Sequence, residues 1–284
     1  MATITNQAAL SYNGITTLSN IAVGELVEVL TAAKTAAGTV YTTGGVKTFA
    51  VSLVNSSAAA LTGLTITDTL GSYQFGGSTL YPLTYVTGSL LYYVNGALRD
   101  TPAIASDAPL TVTGISVPAG GSAMLIYTAA VNEYAPPGVG DSITNTATIT
   151  GGGLATPVTA TETITASAAP QLAISKSISP ATVAENGTLT YTLTLQNRGN
   201  SAADTGDDLV ITDTFDPILK NLTVRFNGTP WTEGVHYTYD TATGAFATVA
   251  GALTVPAATF TQDAATGVFT VDPGTSGLTI TGSL

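Results

Sequence analysis

Lysine is scarce in this chain, four in 284 residues, yet two lysines occupy matching points of alternating segments. Leu30, Ala32 and Lys34 share one face of an extended segment at period 2, and so do Leu172, Ile174 and Lys176. An aspartate falls in the same kind of inward register, Asp68 with Ile66 and Leu70, and Asp213 with Ile211 and Phe215. So does an asparagine, Asn145 with Ile143 and Ala147, and Asn6 with Ile4 and Ala8. A lysine buried without a partner tends to be driven neutral by desolvation. A neutral amine can attack the side-chain carbonyl of asparagine while a carboxylic acid, kept protonated by apolar surroundings, moves the proton. Ammonia leaves, and an isopeptide amide remains. The expected sets are Lys34, Asp68 and Asn145 within one domain, and Lys176, Asp213 and Asn6 between subunits. The same residues also admit a purely structural role: aspartates in Asx turns, asparagines capping a ladder edge, lysines snorkelling to a rim. Lys47 competes with Lys34, but its counterpart in the second half is Leu189.

The elements that must position these groups are strands. KTFAVSLVN (47–55), GLTITDTL (63–70), LTYTLTLQN (189–197) and DLVITDTF (208–215) alternate apolar and polar residues. Gly, Pro, Asn and Asp punctuate them at sandwich-like intervals, and no long stretch has helical periodicity. The expected class is all-β. The chain also repeats itself: Lys34 to Asn55 and Lys176 to Asn197 have equal length, and LTITDTL matches VITDTF. The alignment implies domain 1 at 24–166 and domain 2 at 169–284, joined near 167–171. SITNTATITGGG (142–153) supplies a last strand for domain 1, whereas the second copy stops at Leu284. Its like stands at the front, where Ile4, Thr5, Asn6, Ala8 and Gly14 match Ile143, Thr144, Asn145, Ala147 and Gly153. Residues 1–20 are therefore expected to be a donor strand, with Ile4, Asn6, Ala8 and Leu10 on its inserting face, and domain 2 to be incomplete without it. The plainer alternative is a disordered tail and a truncated second domain.

The string ISKSISPATVAENGTLTYTLTLQNRG followed by VITDTF resembles the conserved Ig-like repeats of bacterial and archaeal surface proteins, a family whose function is unknown. Domain 1 follows the pattern through LTYVTGSL (83–90), PAGGSA and ITNTATITG. The resemblance implies two tandem Ig-like β-sandwich domains at a cell surface and assigns no activity. In its short form the chain resembles appendage or filament subunits of spore-forming clostridia.

Composition narrows the function classes. Charged residues make up 9%, hydrophobic residues 44%, and the formal net charge is −11 with seven Lys and Arg in all. So few cations argue against a nucleic-acid partner, whose phosphates need clustered Lys and Arg, and against an anionic membrane surface. A Thr, Ser, Gly and Asn surface suits fibres and extracellular layers. No apolar run approaches a membrane span, and no secretory signal is visible at the first residues. Cysteine is absent, which excludes disulfides and thiolate metal sites. No cofactor is expected. Nor is a metal site, the Asp204, Asp207 and Asp208 cluster reading as a solvated turn. His236 has no partner at triad or metal spacing and reads as a strand residue. Trp231 and the pair Tyr92–Tyr93 read as sheet packing, with a glycan platform as the alternative. The expectation is a non-enzymatic, self-assembling filament subunit, head to tail, on a cell or spore surface. The competing class is an adhesin binding glycan or host protein, and a lattice spacer is a third.

Overall fold

Threonine dominates the extended segments, and its branched side chain, like those of valine and isoleucine, packs better on a pleated sheet than in a helix. The computed structural model describes residues 2–284, and apart from a 3-10 turn at Thr205–Asp207 its elements are strands. No helix among the described residues is long and apolar enough to cross a membrane.

The chain opens with a hairpin. Strands β1 (Ala2–Asn6) and β2 (Ala9–Tyr12) form its outgoing arm, and β3 (Ile15–Leu18) and β4 (Ala22–Leu26) its return arm. β1 pairs with β4 and β2 with β3. The arms turn at Asn13 and Gly14, both with positive φ (44° and 80°), which the tight hairpin turn demands and an Asn–Gly pair supplies. Every residue from Thr3 to Glu25 is exposed, so neither domain seats this hairpin. It extends past the 1–20 expected for the donor and takes in β4, which overlaps the stretch assigned by repeat to domain 1.

Domain 1 is a sandwich of two six-stranded sheets. The first runs β13 (Ala97–Arg99), β12 (Leu91–Val94), β16 (Ser122–Val131), β7 (Val46–Asn55) and β5 (Leu30–Ala36), with β11 (Leu83–Tyr85) also on β16. The second runs β14 (Ala103–Asp107), β15 (Leu110–Val117), β8 (Leu61–Asp68), β17 (Ser142–Gly151), β18 (Val158–Ala166) and β6 (Val40–Tyr41). A small hairpin, β9 (Tyr73–Phe75) and β10 (Ser78–Leu80), follows β8. The inner faces bury Phe49, Leu53, Leu64, Ile115, Leu125 and Ile149 completely or nearly so.

Among the described residues domain 2 repeats this plan with fewer strands. Its first sheet runs β19 (Leu172–Ser179), β20 (Thr188–Asn197), β28 (Gly274–Ser283), β22 (Lys220–Phe226) and β23 (Thr229–Pro230). Its second has only β21 (Thr212–Thr214), β25 (Ala245–Thr248) and β24 (Tyr237–Tyr239). Register fixes the correspondence. Lys34 lies opposite Val51 and Lys176 opposite Leu193, while Asp68 lies opposite Leu110 and Asp213 opposite Phe246. On this mapping β8 is matched by β21, yet β8 carries β17 on its other side and β21 carries nothing there among the described residues. The protein is thus all-β, built of Ig-like sandwiches, with one sheet of the second left open.

A further hairpin, β26 (Thr259–Gln262) and β27 (Phe269–Asp272), stands where domain 1 has only a Pro118–Gly121 turn. It reaches back to domain 1: Phe269 N donates to Glu133 O at 3.0 Å, and Gln262 Nε2 to Tyr73 Oη at 2.9 Å. Gly267 at its tip (φ +75°) abuts Leu80 and Phe75 so closely that a Cβ would overlap the leucine.

Candidate functional site

Inside domain 1, β5, β8, β16 and β17 converge on one polar cluster. Lys34 Nζ lies 2.5 Å from Asp68 Oδ2, with the two side chains 0% and 2% exposed. Tyr127 Oη donates to the same carboxylate oxygen at 2.7 Å and accepts from Asn145 Nδ2 at 3.0 Å. Asn145 Oδ1 accepts from Gly71 N at 3.2 Å and Thr69 Oγ1 at 3.3 Å, and Asp68 Oδ1 accepts from Leu70 N at 3.0 Å. Lysine, acid, tyrosine and asparagine therefore form one hydrogen-bonded chain, in which Lys34 reaches Asn145 through Asp68 and Tyr127. The Asx turn at Asp68 and its pairing with Lys34 are both present, one on each oxygen.

Apolar and aromatic walls enclose this chain. Phe49 and Tyr127 stack with centroids 5.6 Å apart, and Lys34 Nζ lies 5.3 Å and 6.0 Å from their centroids. Burial pulls the Lys34 ammonium down to about 8, against the raising effects of the Asp68 charge, its hydrogen bond and the Glu162 charge. Roughly a tenth of such a group is free amine at neutral pH. Burial, with the Asp68 charge added, pushes the Tyr127 phenol well above its ordinary value. The backbone beside the site is strained: Leu70, fully buried, holds φ +52°. Gly71 at φ +70° lies so close to Ile143 that only glycine fits where its N–H must meet Asn145.

In domain 2 the corresponding site is half built. Lys176 Nζ and Asp213 Oδ2 also lie 2.5 Å apart, but their side chains are 38% and 17% exposed. Lys176 sits over Tyr191 (4.3 Å to the centroid) and Phe215 (5.5 Å). Ile280 lies opposite Tyr191 as Tyr127 lies opposite Phe49, so this site has no bridging phenol. Asn6 is not at the site. It pairs with Ala22 in the exposed N-terminal hairpin, with Ile4 beside it on β1, Ala8 at the joint between β1 and β2, and Leu10 on β2.

Tyr127 was missed by sequence reasoning because the repeat pairs it with an isoleucine. Its inward alternation in SAMLIYTAAV was the available signal. Two expectations set aside above also resolve. Asp204 and Asp207 form a reciprocal capping box on the 3-10 turn, Gly206 N donating to Asp204 Oδ1 (2.8 Å) and Asp204 N to Asp207 Oδ2 (2.9 Å). His236 belongs to the turn before β24 and not to a strand; its ring stacks on Trp231 and its Nδ1 accepts from Thr232 N. Trp231 packs on Phe226, and buried Tyr92 donates to Ser116 O at 2.6 Å.

No protein-family description and no curated protein matches this chain. Among solved structures it is similar to the pilus backbone protein RrgB of Streptococcus pneumoniae, at 10% identity and TM-score 0.34 over 86% of this chain and 55% of that one. It is similar to BcpA, the major pilin subunit of Bacillus cereus, at 14% and 0.37 over 96% and 73%. A collagen-binding domain from a Staphylococcus aureus adhesin matches at 11% and 0.30 over 47% and 96%. The chain spans about half the length of the pneumococcal structure. Scores this low bear on neither assembly nor ligand.

Proposed function

We propose that the protein is the structural subunit of a surface filament, assembled head to tail by insertion of the N-terminal arm of one copy into domain 2 of the next. One observation carries this reading. Among the described residues domain 2 has an unpaired β21 edge where domain 1 has β17, and the segment that shares Ile, Thr, Asn and Ala with β17 at Ile4, Thr5, Asn6 and Ala8 stands exposed at the other end of the chain. An unpaired edge leaves backbone donors and acceptors that cost about 1–3 kcal/mol each if dry, and an incoming strand satisfies them. Transferring the β17–β8 register sets Ala8 opposite Asp213, Ala9 opposite Thr212 and Leu10 opposite Ile211. Asn6 then enters at the position of Asn145, beside Lys176 and Asp213. Such an interface is heterologous and grows an open fibre unless its rotation closes a ring. The poorly charged, Thr- and Gly-rich surface suits a cell- or spore-surface location.

Within this reading the two lysine sites are covalent cross-links. Neutral Lys34 attacks Asn145 Cγ, forming the C–N bond; Asp68 takes the amine proton and returns it through the Tyr127 hydroxyl to the departing Nδ2, so the C–Nδ2 bond breaks and ammonia leaves. Tyr127 holds the amide and the acid in line. The burial and depressed amine of Lys34 support the step. Lys176 and Asn6 would form the same bond across the interface, with Asp213 passing the proton directly because no phenol intervenes, once insertion excludes water from the half-exposed pair.

Denaturing electrophoresis of boiled protein tests both parts. A ladder of multimers is expected, since this cysteine-free chain has no disulfide to offer, and Lys176→Arg or Asn6→Ala should collapse it to monomer while filaments persist by electron microscopy. Filaments that still form after removal of residues 2–26 would end the donor-arm reading. Ligand binding retained in that deletion would favour the adhesin alternative.

A further inference from the structure

Comparing the two domains strand by strand exposes a second gap. In domain 1 β18 pairs with β17 and packs on β5, so Leu30 and Lys34 are buried and Ala32 and Ala36 are partly covered. Every residue of β19, the equivalent of β5, is exposed, with Leu172, Ile174 and Ile178 showing 43%, 55% and 43% of their surface. A single donated strand beside β21 would close the open edge and leave β19 bare. The uncovered surface is two strands wide.

The N-terminal hairpin is two strands wide as well. Its arms pair Ile4 with Gly24 and Asn6 with Ala22, as β17 and β18 pair Ile143 with Ile164 and Asn145 with Glu162. We infer, on the premise of N-terminal donation, that the donated unit is the whole hairpin of a second copy, residues 2–26, with β4 taking the place of β18 and packing on β19.

Side-chain volumes fit this assignment. Where β5 has Ala32 and Ala36, β19 has Ile174 and Ile178. Where β18 has Glu162 and Ile164, β4 has Ala22 and Gly24. Bulk added to one strand is removed from the strand that would face it, which is the exchange that keeps a core filled without overpacking. The connections fit too. β18 runs into β19 through 167–171, and β4 runs into β5 through 27–29. Hairpin docking makes the junction between subunits a copy of the junction between domains. The fibre becomes an unbroken row of complete sandwiches, each closed by the hairpin that precedes the next. A lone outgoing arm would instead leave the return arm as slack between subunits.

The absence of cysteine allows a direct test in the full chain. In a Lys176→Arg background, which forms no isopeptide between subunits, Ala9→Cys with Thr212→Cys should give disulfide-linked multimers on oxidation, and Ala9→Cys with Thr214→Cys, two residues out of register, far fewer. Into the first pair Gly24→Ile is then introduced. Gly24 is exposed in the free subunit and a Cβ there meets only the Ile4 side chain at 3.9 Å, so the fold tolerates it. Docked, it should collide with Ile174 and Ile178 and lower the cross-linked fraction at least several-fold; Ile174→Ala with Ile178→Ala should restore it. Unchanged cross-linking by Gly24→Ile would overturn hairpin donation and leave single-strand donation standing. No cross-linking by the Ala9/Thr212 pair would overturn both.

Discussion

Asn145→Ala should turn the stability of domain 1 pH-dependent in a window where the wild type is flat. The variant keeps the buried Lys34–Asp68 pair but has no amide to acylate the lysine, so Lys34 stays titratable. Its folded value is about 8 against 10.5 when solvated, chiefly because burial disfavours the ammonium. Below pH 8 folded and unfolded chains both carry the proton, and the folded state bears the full desolvation cost. Between about 8 and 10.5 the unfolded chain binds more protons, so stability rises with pH. At about 1.4 kcal/mol per pH unit the gain approaches 3 kcal/mol over that window, of which about 2–3 kcal/mol falls below pH 10. Above pH 10 the raised phenols of Tyr127 and Tyr41 act in the opposite sense, because the unfolded chain then loses protons that the native state keeps. Losing the Asn145 contacts to Gly71 N and Thr69 Oγ1 adds a pH-independent loss of about 1–3 kcal/mol. Denaturant unfolding at pH 7, 8, 9 and 10 measures this, read by near-ultraviolet tyrosine dichroism, since the single tryptophan, Trp231, reports on domain 2. On the proposed cross-link the wild-type Lys34 nitrogen is an amide and does not titrate. A flat variant would refute the depressed amine and with it the activation argument. A rise in wild-type stability between pH 8 and 10 would show that no bond had formed.

Tyr127→Phe should slow cross-linking and destabilise domain 1 by about 1–3 kcal/mol, because Asp68 loses a donor and the Asn145 amide an acceptor inside the core. Intact mass against time measures the first: each bond formed lowers the mass by one ammonia. Gly267→Val should free the β26–β27 hairpin from domain 1, since its φ and its approach to Leu80 both exclude a side chain; small-angle scattering should then show the domains less fixed, with melting of each core little changed. Deleting residues 2–26 should abolish assembly yet leave the melting temperature of the monomer within a degree or two, because residues 3–25 are exposed in the free subunit and bury nothing.

Much of this protein was legible in the order of its residues. Alternation at period 2 marks the strands, and it sets Lys34, Asp68 and Asn145 on inward faces because side chains leave a strand to alternate sides. Internal repetition shows that an ITN segment stands both before domain 1 and within it, which no single fold diagram would reveal. Other features needed three dimensions. Tyr127 enters the site only because β16 crosses beside β7 and aims its phenol between Asp68 and Asn145, contacts across more than one strand that alternation alone does not encode. The unequal burial of two lysine–aspartate pairs with the same 2.5 Å spacing depends on whether β17 and β18 cover them. The exchange of alanine for isoleucine on β19 and of isoleucine for glycine on β4 gains meaning only when packing brings β18 against β5. Local pattern determines which residues face inward; what they meet there depends on strands distant in sequence, and here on strands that a second copy is proposed to bring.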